Sequence, residues 1–167
     1  MNLQQNDSAL VALHQATVAG DGADPIATLI SSIGNGVRVR GDSAKDMDML
    51  REARVLMNRA DSVAMLADEV GPPDARRQRA PAGQETKARV KFLVGVTNVQ
   101  LGFVLATNAG QQRSCDLAKE ADEALVNAMI ALPQGAAFNQ QTAVQLLQSI
   151  PEMQAYVTQI TGQLCRQ

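Results

Sequence analysis

Side chains that do chemistry are few in this chain. There is one histidine, His14, and two cysteines, Cys115 and Cys165. A structural zinc site usually takes four Cys or His ligands, and these three residues fall short of it. Nucleophilic catalysis needs a serine or thiol beside a base, and nothing in the spacing brings either to His14. Cys115 falls in the first turn of an expected helix, where the helix dipole favours a thiolate. Gly34-Asn35-Gly36 lacks the Lys-Ser/Thr and the preceding strand of a phosphate loop. Asp116, Glu120 and Glu123 share one helix face and are read as a solvated acidic patch. These observations predict a non-enzyme with no catalytic residue, no metal and no cofactor.

The cysteines carry a sharper expectation. Cys115 opens one expected helix and Cys165 closes the last, so an antiparallel pairing of the two segments brings the sulfurs together. Because the two helices differ in length, a bend at Pro151 or a later start is needed. A Cys115–Cys165 bridge implies an oxidising compartment, periplasmic or secreted. Residues 1–9 lack the basic start and apolar run of a secretory signal. That setting therefore requires a signal to have been removed, and a cytoplasmic location is the alternative.

The elements that position these residues are all helical. The length of 167 residues fits a single domain, 1–167. The 46% hydrophobic content is too high for a disordered chain. With three Phe, one Tyr and no Trp, the core is built from Ala, Val, Leu, Ile and Met, whose small side chains let helices pack closely. The same scarcity removes the aromatic platforms that stack single-stranded bases.

Capping and periodicity place the elements. Asp7 or Ser8 starts a short helix to residue 19. Asp24-Pro25 opens a second, with Ile26, Leu29, Ile30 and Ile33 on one face and Gly34 and Gly36 ending it. Val37-Arg38-Val39-Arg40 alternates at period two and reads as an extended connector, or as an edge for a partner strand. Asp42 or Ser43 caps a long helix to residue 70, with Leu50, Ala53, Met57, Ala60, Val63, Ala64, Ala67 and Val70 facing the core. This cap explains Asp42 better than the adhesion-like triplet Arg40-Gly41-Asp42. Gly71-Pro72-Pro73 stops that helix, and 72–83 is expected to be an internal mobile loop.

A helix over 84–109 is apolar nearly all round, so it should be a buried central element rather than a membrane span. Gly95 and Gly102, seven apart, mark the face where another helix approaches closely. Helices over 115–132 and 139–164 follow, the second kinked or split at Pro151 and carrying a core stripe of Val144, Leu147, Ile150, Met153, Val157, Ile160 and Leu164. The expected fold is all-α: a helical bundle of about four main helices plus two short N-terminal ones, its last two segments a disulfide-linked hairpin.

Two surfaces stand out by charge. Between residues 124 and 165 the only charged side chain is Glu152. Gln141, Gln145, Gln148, Gln159 and Gln163 lie near one another on one helix face, able to enter an interface without burying charge. Residues 74–91 carry the opposite character: Arg76, Arg77, Arg79, Lys87, Arg89 and Lys91 against Asp74 and Glu85. The net charge of −2 argues against a nucleic-acid partner.

The leading expectation is a non-catalytic protein-binding or assembly subunit of a bacterial cell envelope or secretion apparatus. It would bind another protein or self-associate through the charge-poor helical face. An immunity- or inhibitor-type protein that blocks a toxin or enzyme is the first alternative. An accessory protein docking on nucleic acid or an anionic membrane through the basic loop is the second.

Overall fold

The computed structural model describes residues 23–66 and 82–165, in which five helices and no strand occur. They are α1 (Ala23–Ala44), α2 (Met47–Leu66), α3 (Gln84–Gln112), α4 (Cys115–Gly135) and α5 (Gln140–Leu164). The expected helix over 8–19, with His14, and the segment 72–81 lie outside the described residues.

The first half corrects the sequence reading. Gly34, Gly36 and the period-two stretch Val37 to Arg40 do not end a helix; they lie inside α1. Gly34, with Gly41 one heptad on, permits a close contact there instead. A Cβ on Gly34 would sit 3.1 Å from Leu56 Cβ, and one on Gly41 would sit 3.0 Å from Met49 Cβ. Gly34 and Gly41 are seven residues apart, the spacing that marked Gly95 and Gly102, and they let α1 settle on α2. Val37 is buried, whereas Val39 is exposed.

The break falls later than expected, at Lys45-Asp46. Lys45 takes a left-handed conformation with φ 53°. Asp46 is the cap, its Oδ1 accepting from the amides of Asp48 at 2.9 Å and Met49 at 3.1 Å. Asp42 and Ser43, read as that cap, belong to the last turn of α1. Arg113, with φ 52°, and Ser114 make the corresponding turn between α3 and α4. Ser114 Oγ accepts from the Leu117 amide, as its position before the helix predicts.

Helix α3 is the centre: it packs against each of the other four. Its face toward α4 closes on small residues. A Cβ on Gly95 would lie 2.6 Å from Leu132 Cγ and 3.1 Å from the Leu132 amide nitrogen. One on Gly102 would lie 2.9 Å from Leu125 Cγ. Opposite them, Ala121, Ala124, Ala128 and Ala131 repeat at spacings of three and four and are all buried. Glycine inside a helix costs about 1 kcal/mol relative to alanine, and this close approach offsets the cost with dispersion contacts. Helix α3 is long and apolar enough to cross a membrane, yet 72% of its most apolar window is buried among the other helices.

Pro133 does not end α4, which continues to Gly135. A side chain at Gly135 would strike the backbone of Phe92 and Lys91, so glycine is what lets the last turn touch α3. The extension brings α4 to 21 residues against 25 in α5. Their ends meet at the disulfide, and α5 is not split at Pro151 but runs through it as one helix. Asn139 caps α5 through Oδ1, which accepts from the Thr142 amide at 3.1 Å. The core stripe of α5 holds for Ile150, Val157 and Ile160, which are buried; Val144, expected among them, is 43% exposed.

Candidate functional site

Helices α1 and α5 both lie on α3 but do not contact one another. Asp24 of α1 meets Gly83 at the start of α3 (2.8 Å), and Arg38 meets Gln100 further along (2.7 Å), so α1 and α3 run parallel. Between α1 and α5 a strip of α3 stays uncovered. Gln100, Phe103 and Thr107 line it at spacings of three and four, the spacing of one helix face.

This strip floors a groove of about 620 Å³. Val99, Phe103 and Ala106 form its floor, Met153 and Tyr156 its wall on α5, and Asp42 its rim on α1. Phe103 is 51% exposed and Tyr156 46%. They are half of the aromatic residues in the chain. Aromatic side chains with exposed apolar bodies are the commonest energetic anchors of protein interfaces.

A polar network stiffens the α1 side. Arg38 donates through Nε and Nη2 to Asn35 Oδ1 (3.0 and 2.9 Å) and through Nη1 to Gln100 Oε1. Gln100 Nε2 donates to Asp42 Oδ2 at 2.9 Å, and Lys45 donates to the other Asp42 oxygen at 2.8 Å. Burial lowers the Arg38 pKa and the nearby Asp42 charge opposes that shift. On the α5 rim, Glu152 is exposed and forms no hydrogen bond or ion pair among the described residues.

The residues singled out from the sequence fall as follows. Cys115 and Cys165 are bonded, with Cα atoms 5.1 Å apart, so the reactive-thiol reading of Cys115 is excluded. Gln141, Gln145, Gln148, Gln159 and Gln163 are all exposed on the outer face of α5. Because α5 is unbroken, they stay within one stripe, adjoining the Tyr156 side of the groove. Gly34-Asn35-Gly36 is helix interior rather than a loop.

The basic segment is divided. Arg76, Arg77 and Arg79 lie outside the described residues, whereas Lys87, Arg89 and Lys91 belong to the first turns of α3. Lys91 donates to Asp61 on α2 at 2.7 Å, and Arg89 reaches Ser32 on α1 at 3.4 Å. These two tie helices together instead of forming a free basic patch. The end of the expected mobile loop is fixed as well: Ala82 is buried, and the Gly83 amide donates to Asp24.

The acidic patch is not simply solvated. Glu120 accepts from Arg51 at Nε (2.9 Å) and Nη2 (2.6 Å), and from Arg54 at 3.3 Å. These bonds, Arg51 first, lower the Glu120 pKa against an opposing effect of burial. The triad clamps α2 to α4. Among the described residues, no cluster of three or more His, Cys, Asp or Glu side chains has the arrangement of a metal site.

A second, smaller concavity of about 200 Å³ lies among α2, α3 and α4, lined by Asn58, Asn98, Asn127 and Gln134. Asn98 Nδ2 donates to Val94 O at 2.9 Å, and its Oδ1 is buried without a donor.

Comparison with protein-family models, curated proteins and solved structures found no match to this chain.

The groove was missed in the sequence because α3 reads as apolar on every side. The signal was present in Gln100 and Thr107. Both interrupt the apolar surface on the same strip as Phe103, and polar residues on one strip of an otherwise buried helix mark the side that meets water.

Proposed function

We propose that this chain is a non-catalytic protein-binding or assembly subunit whose binding surface is the groove between α1, α3 and α5, extended by the amide face of α5. The exposure of Phe103 and Tyr156 across an apolar groove of about 620 Å³ carries this reading. The groove exposes side chains that the core could have used, and such patches on a folded domain mark interaction sites. The glutamine face supplies hydrogen bonds beside the groove without a charge to desolvate. The disulfide supports an oxidising setting such as a periplasm, envelope or secretion assembly.

Of the basic residues that a nucleic-acid or lipid contact would use, Lys91 and Arg89 are engaged within the fold, and Arg76, Arg77 and Arg79 lie outside the described residues. Site-specific photo-crosslinking in the native host tests the proposal. A benzophenone side chain at position 103 is expected to give one dominant protein adduct. The same group at Val55, exposed on α2, is expected to give none above background. Equal labelling from both positions, or adducts from Val55 alone, would remove the groove as the binding surface.

A further inference from the structure

We propose that the concavity among α2, α3 and α4 binds a small, uncharged, polyhydroxylated molecule of monosaccharide size, recognised by the carboxamides around Asn98. It shares no lining residue with the groove, so the two readings stand or fall separately.

Asn98 carries the inference. It is 2% exposed and lines the concavity beside Val94. Its Nδ2 donates to Val94 O, whereas its buried Oδ1 accepts no hydrogen bond. A buried carbonyl oxygen without a donor costs stability, and a leucine of similar shape would fill the same space without that cost. A donor from outside the chain accounts for the asparagine.

The walls match it. Asn58 on α2 and Asn127 and Gln134 on α4 line the same concavity. None of these three side chains forms a hydrogen bond or ion pair among the described residues. Three carboxamides, each able to donate and to accept, thus surround one free acceptor. Among the described residues, Lys91 is the charged one in the lining, and Asp61 holds its ammonium at 2.7 Å. The pair cancels, so the site offers no net charge to an ion.

Hydroxyl groups suit this lining. A hydroxyl donates and accepts at a single atom, so neighbouring hydroxyls on one ring can meet carboxamides that approach from different helices. A planar amide meets partners only in its own plane. Val94, Ala131 and Ile130 supply apolar surface for the C–H face of a ring. Size agrees as well. The volume of about 200 Å³ is the share of roughly seven water molecules in the liquid. A ring bearing several hydroxyls replaces such a cluster group for group. Drug-sized ligands occupy pockets of about 300 Å³ and more.

NMR titration of the isotope-labelled full chain tests the proposal, with glucose, galactose, mannose and myo-inositol as probes. At least one should shift the side-chain amide signals of Asn98, Asn127 and Gln134 along a saturating curve and leave the Phe103 amide in place. Glucuronate and glucose 6-phosphate bring a charge that the site does not pair, and should bind at least about tenfold more weakly. Asn98→Leu should abolish the saturation while the chain melts at the parent's temperature or above it. Asn127→Ala, at a half-buried position on α4, should fold as the parent does and weaken binding about fivefold; it carries the test if Asn98→Leu fails to fold.

Absence of a saturable shift with every neutral probe at about 10 mM overturns the proposal and leaves Asn98 to an ordered water only. Tighter binding of the charged sugars overturns it too, as does sugar binding indifferent to both substitutions. Saturable shifts with N-methylacetamide but with none of the four polyols would replace the hydroxylated ligand by an amide.

Discussion

The two sides of α3 differ in what faces them. Toward α4 the helix presents Gly95 and Gly102 to an alanine stripe, and a single added carbon would collide. Toward the gap between α1 and α5 it presents Phe103, half exposed over open space. Small residues bring backbones together and complete a contact within the chain. A large residue left without a neighbour completes nothing within the chain, and its burial is available to another molecule. The difference separates residues that hold the fold from residues free to serve function, and substitutions on the two sides should behave oppositely.

The largest expected effect is at the disulfide that fixes the far end of α5, one wall of the groove. Closing a loop across a separation of 50 residues stabilises by roughly 4 kcal/mol in the chain-entropy model. Cys115→Ser with Cys165→Ser should lower the unfolding free energy by about that amount in denaturant titration. A loss under about 1 kcal/mol would mean that the apolar contacts of Ile150, Val157 and Ile160 alone hold the wall in place. On the closed side, Gly95→Leu should overpack against Leu132 and cost about 1–3 kcal/mol. Unchanged thermal stability would show that α3 and α4 separate easily, and the contrast between the two sides would fail.

The clamp of Glu120 with Arg51 and Arg54 belongs to the closed half. Its loss in Glu120→Gln should cost about 2 kcal/mol at neutral pH, the scale of a charge-assisted hydrogen bond. Since the folded state lowers the Glu120 pKa, the unfolded state binds the proton more readily. The stabilisation is therefore complete above the ordinary glutamate range and is lost as pH falls through the lowered folded value. The gap between parent and variant should close on acidification. A gap that persists to low pH would assign the effect to packing rather than charge. Smaller again, and of opposite sign, is Gly36→Ala. A Cβ there meets nothing within 4 Å, so helix propensity should act alone and stabilise by up to about 1 kcal/mol. A glycine in open space and one in the α3–α4 contact thus respond with opposite signs to an added side chain.

The half of the fold legible in the sequence is the half where local signals and packing agree. Ser114 and Asn139 cap where they stand, the glycine pair in α3 marks its close contact, and the cysteines meet. The N-terminal half misled because Gly34 and Gly36 look like a helix end, and tertiary packing against Leu56 and Met57 overrides that local preference. Asp46, one of several acids in a row of polar residues, is distinguishable as the cap only once the left-handed turn at Lys45 is known. The amide face of α5 was readable from composition alone. The groove left only the faint signal of Gln100 and Thr107 on α3, because a gap between two helices that do not touch each other leaves no periodic signature in either of them.

The smallest expected effect on stability carries the most weight for function. Gln145 and Gln148 are exposed on the outer face of α5, beyond the groove rim, and neither forms a hydrogen bond among the described residues. Replacing both with lysine should shift stability by no more than about 0.5 kcal/mol each. If the interface covers the amide face, the double variant must desolvate two new charges, and binding of the native partner should fall sharply. A positively charged partner confined to the groove predicts a graded loss instead, through repulsion from a surface that has become more positive, and one that added salt restores. Measuring partner affinity of Gln145→Lys with Gln148→Lys at low and high salt separates the cases. A loss that salt does not relieve extends the interface over the glutamines. A loss that salt relieves confines it to the seat around Phe103. Unchanged affinity at both salt concentrations, with Phe103→Gln still disruptive, would strike the amide face from the binding surface altogether.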